Sequence, residues 1–356
     1  MHSSLPIPDA AAAAVPRVLI VDDSAVARAV LSRFVTSEDR FALAAAVPDA
    51  RRALEFLSRE RVDVILLDLE MPHTHGIDAL PQLIAAGQGA RVLVVSSAAA
   101  DGAAVTMRAL ALGAADTLVK PAAGAFASRF GEVLLARLDL LAAPRAATVE
   151  APRRAIHPPV PLPGFDAIAI GASTGGIHAL ASLLGEVPAE VRQPIFVTQH
   201  LPPAFSPYFA AQVQMSARRP AAIAVDRTRA VAGRLLVAPG TAHLTVSGRG
   251  PEDALVRLST AAVPTGNLPS VDPMFASLAA VYGPRLLAIV LSGMGRDGLE
   301  GARAVRAAGG TVLVQDRATS VVWGMPGVVA DAGLALAVLP PDALGRSIAA
   351  SADRTA

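Results

Sequence analysis

Residues 168–180 read IAIGASTGGIHAL: an apolar run, a serine held among small and flexible residues, and a second apolar stretch that reads as a helix. Two chemistries share that shape. A glycine loop at a helix N-terminus cradles a phosphate with its amides, whereas G-x-S-x-G between a strand and a helix exposes the serine as a nucleophile. Gly171 to Gly175 spell the second pattern, in which the amide of Thr174 is aimed at a developing oxyanion. A dinucleotide loop wants glycine where Ser173 stands and an acid about 20 positions on, after a second strand. Here that second run, PIFVTQH (194–200), ends in His200.

A serine nucleophile needs a base, and the base needs a carboxylate to orient it. Of the seven histidines, His2, His73, His75 and His157 precede this half of the chain. His178 lies one turn into the helix after the serine, where a structural role is the commoner one. His243 follows APGTA and stands as a candidate substrate contact. His200 ends a strand and reaches the same carboxyl edge as Ser173. For the acid, Asp297 in LSGMGRDG competes with Asp316 at the end of TVLVQD. Placement favours Asp297, which also has the ordinary alternative job of capping the helix that follows.

Around this stretch the chain repeats one logic. FDAIAIGAS, PIFVTQH, RLLVAPG, RLLAIVLSG and TVLVQD read as strands, and GIHALASLLGEV, MFASLAAVYG and GLEGARAVRAAG as helices. HLTV and ALVRLS read as a hairpin inserted in that α/β body. Nearer the N-terminus, RVLIVDD, VDVILLDL, RVLVVSS and ADTLVKP alternate with helical stretches. Strands that are apolar throughout and spaced by helices argue for parallel sheets covered on both faces. Between them lies DLLAAPRAATVEAPRRAIHPPVPLPG, rich in Pro, Ala and Arg and without a sustained period, which suits a semi-rigid connector. The expected division is a frayed tail at 1–15, a first domain at 16–138, a linker at 139–163 and a second domain at 164–350.

At 356 residues two domains are expected. The hydrophobic share of 53% owes much to alanine, and every apolar run is broken well before the length of a spanning helix. With no cysteine and no basic region ahead of the N-terminal alanine run, the expectation is a cytoplasmic protein without membrane insertion. A net charge of +1 gives no basis for nucleic-acid binding.

Asp22 and Asp23 end the first strand and Asp68 the third, so the fold brings three carboxylates to one edge. Such hard oxygen ligands suit Mg²⁺, and a carboxylate beside that ion can accept a phosphoryl group. Ser96 and Lys120, at the ends of the fourth and fifth strands, are placed to meet phosphoryl oxygens. The pattern LIVDDS … LLDLEMP … VVSS … LVKP resembles the receiver domain of two-component response regulators. That resemblance implies a flavodoxin-like, five-stranded parallel sheet, Asp68 as phosphoacceptor, Asp22 and Asp23 with Mg²⁺, Ser96 as switch hydroxyl and Lys120 as phosphate-facing cation. His73 and His75 are departures from the family pattern, as is Thr117 where an aromatic switch residue is common.

In the second half, IGASTGG, TQHLPP, VAPGTAHL, PSVDPMFASLAAVYG, LSGMGRDG and WGMPG resemble the signatures of the chemotaxis protein-glutamate methylesterases, the CheB family. The resemblance implies a doubly wound α/β domain with Ser173, His200 and Asp297 as the triad, and oxyanion or substrate contacts from Thr174 and the Met294 region. It also implies methyl-accepting chemoreceptors as substrate, a histidine kinase as phosphodonor, glutamine deamidation as a second activity, and no cofactor for the hydrolysis itself. Trp323, where tyrosine is usual, and TGNL before PSVD, where a basic residue is frequent, depart from the pattern. The competing classes are a receiver-controlled nucleotide-binding protein and a receiver-controlled DNA-binding protein. The second half is too neutral and too rich in strands for the latter.

Overall fold

Successive side chains along a strand point to opposite faces of a sheet, so residues two apart share a face, and both parallel sheets of this chain are built on that rule. The computed structural model describes residues 15–71, 76–96, 100–120, 128–142 and 157–352. The N-terminal part runs β1 (Arg17–Val21), α1 (Ala25–Val35), β2 (Ala42–Val47), α2 (Ala50–Leu57), β3 (Val64–Asp68), α3 (Gly76–Ala86), β4 (Arg91–Ser96), α4 (Ala100–Ala111), β5 (Asp116–Val119) and α5 (Ser128–Ala142). The five strands are parallel in the order β2-β1-β3-β4-β5. Val18, Ile20, Val64 and Leu66 face one buried layer, with Leu134 and Leu138 of α5. Leu19, Val21, Ile65 and Leu67 face the other, with Leu80 and Leu83 of α3. The strand β2, ALAAAV, lacks the bulky apolar pattern of its neighbours and is set by its pairing with β1.

Helix α5 continues to Ala142, so four residues expected in the linker are helical. Leu138 and Leu141 explain this: both are buried against the sheet, each contributing about 1.5–3 kcal/mol that an extended connector would forgo. The rest of the expected linker up to residue 156, the N-terminal tail to residue 14, and His73 and His75 lie outside the described residues.

The C-terminal part runs β6 (Ala167–Ala172), α6 (Gly176–Gly185), β7 (Ile195–Gln199), α7 (Ser206–Ala217), β8 (Ala221–Ile223), β9 (Leu235–Val237), β10 (His243–Ser247), β11 (Leu255–Ser259) and α8 (Val271–Tyr282). It continues with β12 (Leu286–Val290), α9 (Leu299–Ala307), β13 (Thr311–Gln315), α10 (Met325–Asp331), β14 (Ala337–Leu339) and α11 (Pro341–Ala352). Seven parallel strands take the order β14-β13-β12-β6-β7-β9-β8, and β10 and β11 form the expected antiparallel hairpin. The chain moves outward from β6 through β7 in one direction, then restarts at β12 on the other side. That reversal opens a crevice at the carboxyl ends of β12, β6 and β7, where ligands of open α/β sheets bind.

The two sheets are not separate bodies joined by a string. Helix α4 packs against α6 and α7, and one buried apolar cluster includes Met107 and Leu110 of the first part and Leu180, Phe205 and Phe209 of the second.

Candidate active site

Strand β6 is fully buried and leads into the serine turn. Gly175 has φ 77°, in the left-handed region that favours glycine, and a Cβ there would stand 2.5 Å from Val321. The turn is tied on several sides. Ser173 N donates to Ser292 O at 3.0 Å, Gly176 N to Ser173 O at 2.8 Å, and Gln199 Nε2 to the same carbonyl at 2.8 Å. Ser292 Oγ donates to Thr174 O at 2.7 Å. The amide of Thr174 has no acceptor among the described residues, as an oxyanion donor requires before the reaction.

His200 directly follows β7, and its amide donates to Ala172 O at 3.1 Å, fastening it to the strand that ends in the serine. Its Nε2 lies 2.7 Å from Asp297 Oδ2. A carboxylate only accepts, so Nε2 carries the proton there and Nδ1 is the basic nitrogen. No hydrogen bond joins Ser173 Oγ to this ring among the described residues, a looseness common in active sites before substrate enters. Both residues line one cavity of about 980 Å³, together with the exposed Met294 and with Arg296.

Asp297 is 0% exposed on the loop between β12 and α9. Oδ2 also takes the amide of Val271 at 2.7 Å, and Oδ1 takes Ser270 Oγ at 2.7 Å, Gly298 N at 3.1 Å and Asp272 N at 3.2 Å. Burial pushes the carboxyl up, but the bond and charge of His200 with the donations from Ser270 and Val271 outweigh it and hold it at about 2. The capping role that competed for Asp297 belongs to Gly298, the N-cap of α9.

The other candidates separate cleanly. Asp316 takes the amide of Thr319 at 3.0 Å and lines a different cleft. His243 is buried, with Nδ1 accepting from Ser270 N at 2.9 Å and Nε2 bonded to Ala261 O at 2.9 Å, so neither nitrogen is left for a substrate. His178 Nδ1 meets Ala111 O at the end of α4, 3.0 Å away.

At the carboxyl edge of the first sheet, one ligand atom from each of Asp22, Asp23 and Asp68 falls within 4.8 Å of the others. Lys120 Nζ donates to Asp68 Oδ2 at 2.7 Å and to Asp22 Oδ2 at 3.0 Å. Burial pushes the Lys120 ammonium down, and the two carboxylates more than reverse it. Asp22 is raised by burial, which Lys120 only partly offsets, so a cation would lower the cost of its charge. The backbone of Ser96 ends β4, paired with Val119, and its side chain lies outside the described residues.

Two residues that hold the serine turn carry no sequence signal. Asp116, at the start of β5, is buried and paired with Arg137 of α5, and its Oδ2 also takes the hydroxyl of Thr174 at 3.1 Å. Arg137 donates to the same hydroxyl at 3.2 Å. The residue next to the serine is therefore held by an ion pair from the other domain. No local signal marks this, because Asp116 reads only as a polar residue at a strand start.

The family described as CheB methylesterase matches residues 168–348, and the response regulator receiver domain matches residues 18–125. A protein-glutamate methylesterase/protein-glutamine glutaminase 2 of Caulobacter vibrioides is 42% identical over 94% of this chain and 99% of its own length. A protein of the same activity name from Paramagnetospirillum magneticum is 40% identical, covering 91% of this chain and 93% of its own. The crystal structure of the Thermotoga maritima CheB methylesterase catalytic domain aligns with a TM-score of 0.50 at 31% identity, covering 53% of this chain and 99% of that one. With both families in order along one chain, and these relatives matched over more than nine-tenths of both chains, the chain belongs to the CheB methylesterases that carry an N-terminal receiver domain.

Proposed function

We propose that the protein hydrolyses glutamate methyl esters on methyl-accepting chemoreceptors, releasing methanol, and deamidates receptor glutamines by the same route. The observation that carries this reading is the buried Asp297–His200 bond beside the Ser173 turn, with Ser173 and His200 following adjacent strands and lining one cavity while Asp297 is buried behind the histidine. Ser173 Oγ attacks the side-chain carbonyl while His200 Nδ1 takes its proton. The amide of Thr174, with the Met294 loop alongside, receives the developing oxyanion. His200 then gives that proton to the departing methoxide, or to the departing nitrogen of glutamine, so that methanol or ammonia leaves, and water repeats the sequence on the acyl-serine to free glutamate. Asp297 holds the Nε2–H tautomer and stabilises the imidazolium.

In the receiver, Asp68 accepts the phosphoryl group from a histidine kinase, Lys120 faces its oxygens, and Ser96 serves as the switch hydroxyl. Asp22, Asp23 and Asp68 are the residues to hold Mg²⁺, which neutralises phosphoryl charge when bound. Phosphorylation shifts the equilibrium away from the docked arrangement, in which α4 covers α6 and α7 and the Asp116–Arg137 pair grips Thr174. The division of labour follows residues 16–138 and 164–350, and the cytoplasm is the compartment that suits it. No helix among the described residues is long and apolar enough to cross a membrane.

The test is methanol release from methylated receptor by wild type, Ser173→Ala and Asp68→Asn, with and without phosphodonor. Ser173→Ala is expected to release none, and Asp68→Asn to keep basal release without response. Release by Ser173→Ala would overturn the mechanism, and a responding Asp68→Asn would overturn the control.

A further inference from the structure

Asp272 takes no part in the steps above, yet it stands against the turn that carries Asp297. It is the second residue of α8 and lines the same cavity as Ser173 and His200. A single oxygen, Oδ1, accepts the amides of Gly298 at 2.9 Å and Gly301 at 2.7 Å. Its own amide donates to Asp297 Oδ1 at 3.2 Å. So close an approach depends on the missing side chain at Gly301, where a Cβ would stand 2.7 Å from Phe275 Cβ and 3.0 Å from Asp272 Cα. The turn from Asp297 into α9 is thus clamped from α8 at both ends.

An acid over a helix N-terminus is an ordinary cap, and asparagine or serine performs that task as well. Here the half-buried capping acid sits beside the fully buried carboxylate of Asp297, an arrangement that costs free energy unless something is gained. Burial, and then the charge of Asp297, push the Asp272 carboxyl up to about 6 even though two amides donate to it. The gain is rigidity at the residue on which the His200 tautomer depends.

We propose that Asp272 is a positioning residue of the esterase, which fixes the 297–298 turn and so keeps Asp297 Oδ2 on His200 Nε2. This rests on the triad reading above. A slack turn weakens the hold on the imidazole, which counts most in the transition state, so kcat falls far more than KM changes.

The experiment is methanol release by the full chain with phosphodonor, expressed per serine titrated to completion with a phosphonate. Asp272→Ala is expected to lower kcat by about 30- to 100-fold with KM within about twofold, the scale of a misplaced catalytic group. Asp272→Asn, which keeps an acceptor oxygen for both amides, is expected to stay within about threefold of wild type. A wild-type kcat per site in Asp272→Ala, a change in KM alone, or an Asp272→Asn as impaired as Asp272→Ala would overturn the assignment. Should Asp272→Ala not accumulate folded, Asp272→Ser, whose short hydroxyl reaches at most one of the amides, is judged by the same criteria. Release lost in Ser173→Ala but kept in Asp272→Ala refutes this proposal alone, whereas release by Ser173→Ala refutes the triad.

Discussion

Replacing Asp297 by asparagine keeps its volume and removes one acceptor from a carboxylate that has five donors around it. With the new amide nitrogen at the Oδ1 position, it would oppose the amides of Asp272 and Gly298. At the Oδ2 position it opposes only the amide of Val271, and there it donates to His200 Nε2. The second orientation orphans fewer backbone donors and is the one expected, at a stability cost of about 1–3 kcal/mol for the orphaned amide. It moves the imidazole proton to Nδ1, the nitrogen that must receive the Ser173 proton. The expected fall in kcat is about 10⁴-fold, the loss that accompanies a wrong tautomer in such a triad, or about 5 kcal/mol at 1.36 kcal/mol per decade. Initial rates of methanol release with phosphodonor present, alongside a thermal melt, measure both effects. A folded Asp297→Asn chain that retained kcat within about tenfold would refute the assignment of Asp297 as the orienting acid.

Asp116→Asn weakens the charge-assisted grip on Thr174 and takes about 1–2 kcal/mol from the docked state, so release without phosphodonor is expected to rise about 5- to 30-fold. An unchanged basal rate would remove the ion pair from the control of docking. Chelating divalent cations is expected to abolish the response to phosphodonor and leave basal release intact, because the carboxylate cluster found among the described residues lies in the receiver. A chelator that stopped basal release would contradict that separation. Asp297, lowered from 3.8 to about 2, stabilises the fold fully above its ordinary range and loses that contribution as pH falls through it, about 2 kcal/mol in all. Acid titration of stability should therefore show a limb between pH 4 and pH 2 that flattens in Asp297→Asn, and identical limbs in both chains would contradict the lowered pKa.

What could be read early followed the strength of local signals. The long apolar strands around Ser173, His200 and Asp68 stand out because both faces of each are buried. The three-residue edge strands β8 and β14 carry too few residues for any period to emerge. Helices α7, α10 and α11 are likewise not legible in the sequence alone. Alanine and small residues give α11 a weak apolar stripe, and its place is fixed by packing on α6. The expected linker starts at 139 because Leu141 sits in an alanine- and proline-rich context, while its burial is decided by a sheet far away in sequence.

By itself the sequence determined the turn chemistry at Ser173, the carboxylates that end β1 and β3, and the two-sheet plan, since each depends on residues within about a dozen positions of one another. It left His243, Asp297 and Asp316 open between structural and chemical roles. Only the tertiary structure decided among them, because strand order places β12 and β7 on either side of β6. That order puts Asp297 on His200, engages both nitrogens of His243, and turns Asp316 to another cleft. The grip of Asp116 and Arg137 on Thr174 was likewise invisible, since it joins positions brought together only when the receiver docks on the esterase.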